Sequence, residues 1–184
     1  MAAPRRRWAA ELLHFWFHTL AAPQWFAPDP QVDAVLRRRF SRELRSLRRR
    51  PAQEFLTDPQ TALAAVLLFD QLPRNLHRGT PRAFTTDALA RAITHGALAR
   101  GWDKRLARRQ RQFLAMPLMH SERIADQRLS LAYFTRLGPR FGAPFARAHY
   151  RMVARFGRFP HRNALLGRRS SPAEIAAVEA GNRW

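Results

Sequence analysis

Cysteine is absent from the 184 residues, which excludes disulfides and thiolate metal centres and makes a reducing cytosol the simplest compartment. Long apolar runs are missing too. The longest, residues 61–69 with their flanks, falls well short of the roughly 20 apolar residues that a bilayer span requires. The basic start Arg5 to Arg7 precedes an apolar stretch from Trp8 to Phe17. Glu11 and His14 interrupt that stretch and no small-residue cleavage site comes after it, so it reads as a helix of the fold rather than an export signal. Alternating apolar and polar residues with hairpin dipeptides do not occur, which removes the signature of half-buried strands. Neither a Walker loop nor a dinucleotide fingerprint is present, so a nucleotide-binding fold is disfavoured and no cofactor is expected. No fixed-period repeat establishes a solenoid.

Acidic residues are scarce: 13 stand against 33 basic ones, a net charge of +20, and every basic residue except Lys104 is arginine. Abundant Arg beside abundant Ala also suits a GC-rich coding bias, so the charge need not mean function. Apolar residues make up 46% of the chain and aromatics 11%, enough to offset the entropy of ordering. One domain spanning residues 1–184 is expected at this length.

The surviving periodicity is helical. Trp8 to Leu20 forms a first helix, with a Pro-rich loop after it. Asp29-Pro30 and Asp58-Pro59 each supply an N-cap and then Pro at the first helical position. The helix after Asp29 carries Val32, Val35, Leu36, Phe40, Leu44 and Leu47 on one stripe, with arginines elsewhere. The helix after Asp58 is apolar nearly all round, so it is placed centrally, and it is expected to stop before Pro73. Thr85 or Thr86 opens a fourth helix ending at Gly101. A fifth runs from about Lys104 to Met119, with Pro117 bending or ending it. Ser121 caps a sixth, Ala143-Pro144 opens a seventh, and Ser171 to Glu174 is a capping box for a short terminal helix. The result is an all-α domain of about eight helices joined by short loops.

Three polar segments exceed what a bare helical array needs: Asp70-Gln71-Leu72-Pro73-Arg74-Asn75 with Arg78-Gly79, His120-Ser121-Glu122 with Asp126-Gln127, and Phe156 to Asn163. Together with Phe15-Trp16-Phe17 and Trp25-Phe26, they resemble the mainly bacterial family known as domain of unknown function 924, from about Leu12 to Glu179. The resemblance implies stacked antiparallel helical hairpins in a tetratricopeptide-like superhelix. It brings no established biochemical activity with it. The very high charge departs from the family's usual character.

Read as chemistry, Arg74, Arg78, Arg158 and Arg162 offer planar forks for carboxylate or phosphate, with Gln71, Asn75, Gln127 and Asn163 able to fix orientation. This makes a small or peptidic anion the natural ligand. Asp70, Glu122 and Asp126 can equally occupy the same guanidiniums in internal salt bridges. His120, His149 and His161 are the candidate acid–base groups for an enzyme acting on an anionic substrate. Their spacing matches no metal-ligand motif, and neither does the pair His14 and His18. Ser121 reads as a cap rather than a nucleophile, and the N-terminal aromatics read as core. Residues 37–50 and 105–111 present arginine-rich faces on which nucleic acid can bind through phosphate contacts, the alternative being solvated surface. A scaffold that holds a partner peptide in a helical groove is the remaining reading.

Overall fold

A computed structural model describes residues 6–182, which contain helices and turns and no strand. The helices are α1 (Arg7–His14), α2 (Pro30–Leu47), α3 (Pro59–Val66), α4 (Leu72–Leu76), α5 (Asp87–Ala99), α6 (Arg108–Met119), α7 (Ile124–Leu137), α8 (Ala143–Phe156) and α9 (Pro172–Glu179). Two π-helical turns interrupt them: Phe15–Thr19 extends α1, and Leu67–Gln71 joins α3 to α4 in one continuous rod. Counting that rod once gives eight helical rods among the described residues.

Local chemistry sets most boundaries. The Asp29 carboxylate accepts from the backbone N–H groups of Gln31 and Val32 at 2.9 and 3.2 Å. Asp58 does the same for Gln60 and Thr61, and also accepts the Thr61 hydroxyl at 2.7 Å. Gly101 (φ +64°) and Gly157 (φ +70°) adopt the left-handed conformation that ends α5 and α8, which a residue with a Cβ adopts only under strain. Pro73 does not stop the third helix as expected. It lies in the first turn of α4, just after the chain changes from π to α register, and the Phe69 carbonyl four residues back accepts the Thr86 hydroxyl at 2.6 Å instead. Pro117 likewise sits inside α6, which ends two residues later. Ser121 lies outside α7, whose N-cap is Arg123, but its hydroxyl accepts from the Arg123 N–H at 3.1 Å.

The rod α3 is the centre of the molecule. Every residue from Ala62 to Phe69 is fully buried, and α1, α5 and α6 pack around it. On α2, Val32, Leu36, Phe40 and Leu44 face the core while the arginines of residues 37–50 lie exposed. Phe15, Trp16 and Trp25 are buried as expected. Phe26 is 58% exposed and lies flat against the buried Phe113 ring, 5.9 Å away. Helices α5 to α8 then pack on one another in chain order. The polar segments lie where these helices end, so packing rather than sequence proximity brings them together.

If the cap at Asp58 is what starts the central rod, Asp58→Ala lowers unfolding stability by about 1–2 kcal/mol in urea titration. Asp58→Asn retains most of that, since an amide oxygen still accepts the two N–H bonds. Equal losses in the two variants would contradict the capping account.

Candidate functional site

The π turn Leu67–Gln71 carries Asp70, whose side chain is wholly buried. A carboxylate there requires donors on several sides. One Asp70 oxygen meets His120 Nδ1 at 2.8 Å and Arg74 Nη1 at 3.2 Å, and Gln71 Nε2 donates to the other. These partners hold the Asp70 carboxyl far below the usual carboxylate range despite its burial. Because Asp70 is ionised, His120 donates from Nδ1 and its Nε2 is the unprotonated nitrogen.

Arg74 continues the cluster. Its guanidinium makes a bidentate pair with Asp87 at 2.9 and 3.0 Å and donates to the Asp70 carbonyl at 2.7 Å. Arg162, brought in by the turn Pro160–Arg162, donates from Nη1 to the His120 carbonyl at 3.0 Å. Its guanidinium lies over the rings of Phe84 and Phe159, 4.7 and 4.5 Å from their centroids. The Asp87 carboxylate is 3.8 Å from it, and the buried Nε has no hydrogen-bond partner among the described residues. Burial first, and the Arg74 charge second, pull this guanidinium down to about 10. Arg162 is the buried cation whose charge is least compensated.

Two further histidines border Arg162. The His149 ring lies 6.4 Å from that of His120 and 5.3 Å from that of Phe159, and its Nδ1 donates to the Phe145 carbonyl at 2.8 Å. Burial, then the proximity of His120, pushes His149 down to about 3. His161 falls to about 4, from burial and then Arg162. It also lines a shallow cavity of 250 Å³ together with Pro160, Ala164, Ser170, Ile175 and Val178. His120 itself is lowered, since burial outweighs the help of Asp70. At neutral pH the three are therefore uncharged, with acceptor nitrogens beside a buried cation.

The other residues singled out from sequence lie in flanking networks. Asn75 and Arg78 both donate to Asp33 at 2.9 Å. Glu122 accepts Arg168 in two bonds of 2.7 and 2.9 Å and also takes the Phe159 N–H at 2.8 Å. Arg158 pairs with Glu174 at 2.6 and 2.9 Å, and Asn163 donates to Ser170 and Glu174. Asp126 accepts the Ser121 hydroxyl at 2.7 Å and meets His95 and Arg91 at 2.7 and 3.4 Å. Gln127 donates to the carbonyls of Met119 and Ser121 at 2.7 and 2.6 Å. Arg78 and Arg158 are thus in ion pairs, whereas Asp70, Arg74, His120, His149 and Arg162 form one contiguous cluster.

Sequence reasoning misses Asp87, Asp33, Phe84, Arg168 and the second role of Glu174. Asp87 and Asp33 stand in the first turns of α5 and α2, where an acid is explained by the helix dipole alone. Glu174 makes the expected capping box and still binds Arg158. Only its neighbour Asn163, which shares that carboxylate, hints at more.

The family model described as "Bacterial protein of unknown function (DUF924)" matches residues 12–182. A solved structure of a protein of unknown function from Agrobacterium tumefaciens, ATU0120, superposes with a TM-score of 0.88 at 36% identity, over 94% of this chain and 97% of that one. No curated protein matches the chain. The all-α class holds, and the tetratricopeptide-like superhelix stays what the resemblance implies.

The buried histidines give the cluster a pH signature. Below an unfolded value near 6.5 their imidazoles take up protons in the unfolded chain but not in the native one, so stability falls as pH drops from about 6.5 toward 4. The depressed carboxyls of Asp70, Glu122 and Glu174 add a loss only below about 4.5. At pH 5 the His149 contribution is on the order of 2 kcal/mol, which lowers Tm by roughly 4 °C or more. His149→Asn, which keeps a donor for the Phe145 carbonyl, flattens the Tm profile between pH 6.5 and 4.5. An unchanged slope in that variant would remove His149 as its source.

Proposed function

We propose, for a chain that belongs to the bacterial DUF924 family, that it is a binding domain for a compact anion, a carboxylate or phosphate held at Arg162 beside His120. One observation carries this reading. Arg162 is a buried guanidinium whose nearest polar partners are a backbone carbonyl at 3.0 Å and a carboxylate at 3.8 Å, and whose Nε has no hydrogen-bond partner among the described residues. Arg74, by contrast, is saturated by Asp87 and Asp70. A buried cation without a full complement of acceptors is destabilising unless an anion supplies them.

The two phenyl rings fix the plane of the guanidinium, so its donor edge is oriented before a ligand arrives. A neutral His120 accepts at Nε2, which suits an anion that brings a proton of its own, such as a hydroxy acid or a phosphate monoester monoanion. A fully ionised ligand instead raises the His120 basicity and draws a proton in. Either way binding is stronger at lower pH.

The Asp70–His120 pair also supports an acid–base reading, in which the ionised carboxylate holds the imidazole in one tautomer for proton abstraction by Nε2. The two readings share the anion contact and differ only in whether the bound molecule changes with time.

Thermal-shift screening against phosphate, sulfate, small carboxylates and a short peptide with a free C-terminus tests the shared part. At least one should raise Tm, more at pH 6 than at pH 7.5. Arg162→Gln should abolish the shift, and Arg158→Gln, in the flanking network, should preserve it. Absence of any shift across the panel, or its persistence in folded Arg162→Gln, sinks the proposal. Monitoring the bound ligand by NMR over hours then separates binding from turnover.

A further inference from the structure

A second concentration of positive charge has a shape of its own. Helix α2, helix α4 and the turn Pro81–Phe84 enclose a cleft of 520 Å³. Its floor includes Leu44, Pro73 and Leu76, and its wall carries Arg45, Arg48, Arg82 and His77. No acid lines it. None of the three arginines forms an ion pair among the described residues, whereas Arg74, on α4, and Arg78, in the turn after it, are both clamped by aspartates. The neighbouring acids Asp33 and Asp87 are committed to those clamps.

We infer that this cleft is a binding site for a small molecule carrying two or more linked phosphates. Three guanidiniums from two separate elements line one concavity, and their summed charge favours a ligand with several negative charges, such as a diphosphate, over a single carboxylate or monophosphate. The volume lies in the range of small-molecule sites, and the aliphatic floor has room for an uncharged body attached to the phosphates. A flat arginine-rich face would attract any polyanion alike, whereas a concave one with an apolar floor favours a compact ligand. The burial of His77, then the charges of Arg82 and Arg37, lowers its basicity, consistent with a positive potential inside the cleft. No phosphate-loop motif serves the site. Side chains on helix surfaces do the work that a glycine-rich loop does elsewhere.

Isothermal titration of the full chain with pyrophosphate, inorganic phosphate and citrate at 150 mM salt tests this. Pyrophosphate should bind at one site, at least tenfold more tightly than phosphate. Arg45→Ala and Arg82→Ala should each weaken it by about tenfold, with Tm unchanged because both side chains are exposed. Arg108→Ala, on the exposed start of α6, and Arg162→Gln, in the buried cluster, should change the affinity less than twofold. The last variant separates this cleft from the Arg162 site. Equal weakening by Arg108→Ala, or a single-stranded oligonucleotide that binds with the same sensitivity to all three surface arginines, would mean diffuse electrostatics and overturn the inference. Failure of pyrophosphate to bind overturns it as well.

Discussion

The arrangement of the polar interior depends on one ionised carboxylate, Asp70, placed where no water reaches it. A lone buried carboxylate costs far more than any single contact returns, so its surroundings are constrained on every side. Arg74 and His120 occupy one oxygen, Gln71 the other, and each then needs partners of its own. Arg74 requires Asp87, which fixes the start of α5 against α4. His120 sits at the end of α6 and its carbonyl takes Arg162, which anchors the turn after α8. The ends of four helices are thus tied to one charge, and loss of Asp70 would release all of them together.

The backbone prepares this placement. A regular α-helix from Pro59 to Leu76 would put Asp70 on a face set by the 3.6-residue period. The π turn adds a residue to that count and rotates the next segment of the rod. The same turn absorbs Pro73, whose ring would otherwise collide with the preceding helical turn. One irregularity therefore both buries a charged residue and admits a proline. Such turns recur at functional sites because they are tolerated only where the strain has a use.

This division explains how much of the molecule is legible in the chain. Helix starts at Asp29, Asp58 and Ser171 are legible because capping is local chemistry, written within four residues. The stripe on α2 is legible because burial repeats with the helical period. The convergence of Asp70, His120 and Arg162 rests on separations of 42 and 50 residues, to which no local pattern points. The polar segments stand out as unusual, but sequence alone does not sort Arg162 from Arg158. Both are arginines close to an apolar residue. Only the fold gives Arg158 the Glu174 carboxylate and sets Arg162 against two phenyl rings. Pro73 reads as a helix stop for the same reason, since a π turn leaves no mark in composition.

The distribution of acids connects the two cationic sites. At least eight of the thirteen acidic residues hold ion pairs, and Asp29 and Asp58 are committed to helix caps. Few acids remain, so most of the exposed arginines lack acidic partners by arithmetic alone, whatever drove their number. Coding bias can explain how many arginines the chain has. It cannot explain why Asp87 is turned onto Arg74 while the adjacent Thr86 lines a cleft containing no acid. Asp87 is spent on Arg74, and the buried Thr86 keeps its hydroxyl on the Phe69 carbonyl, so neither residue puts a negative charge into the cleft. That placement of the acids, more than the net charge, is what distinguishes the two cationic regions on which the proposed anion sites rest.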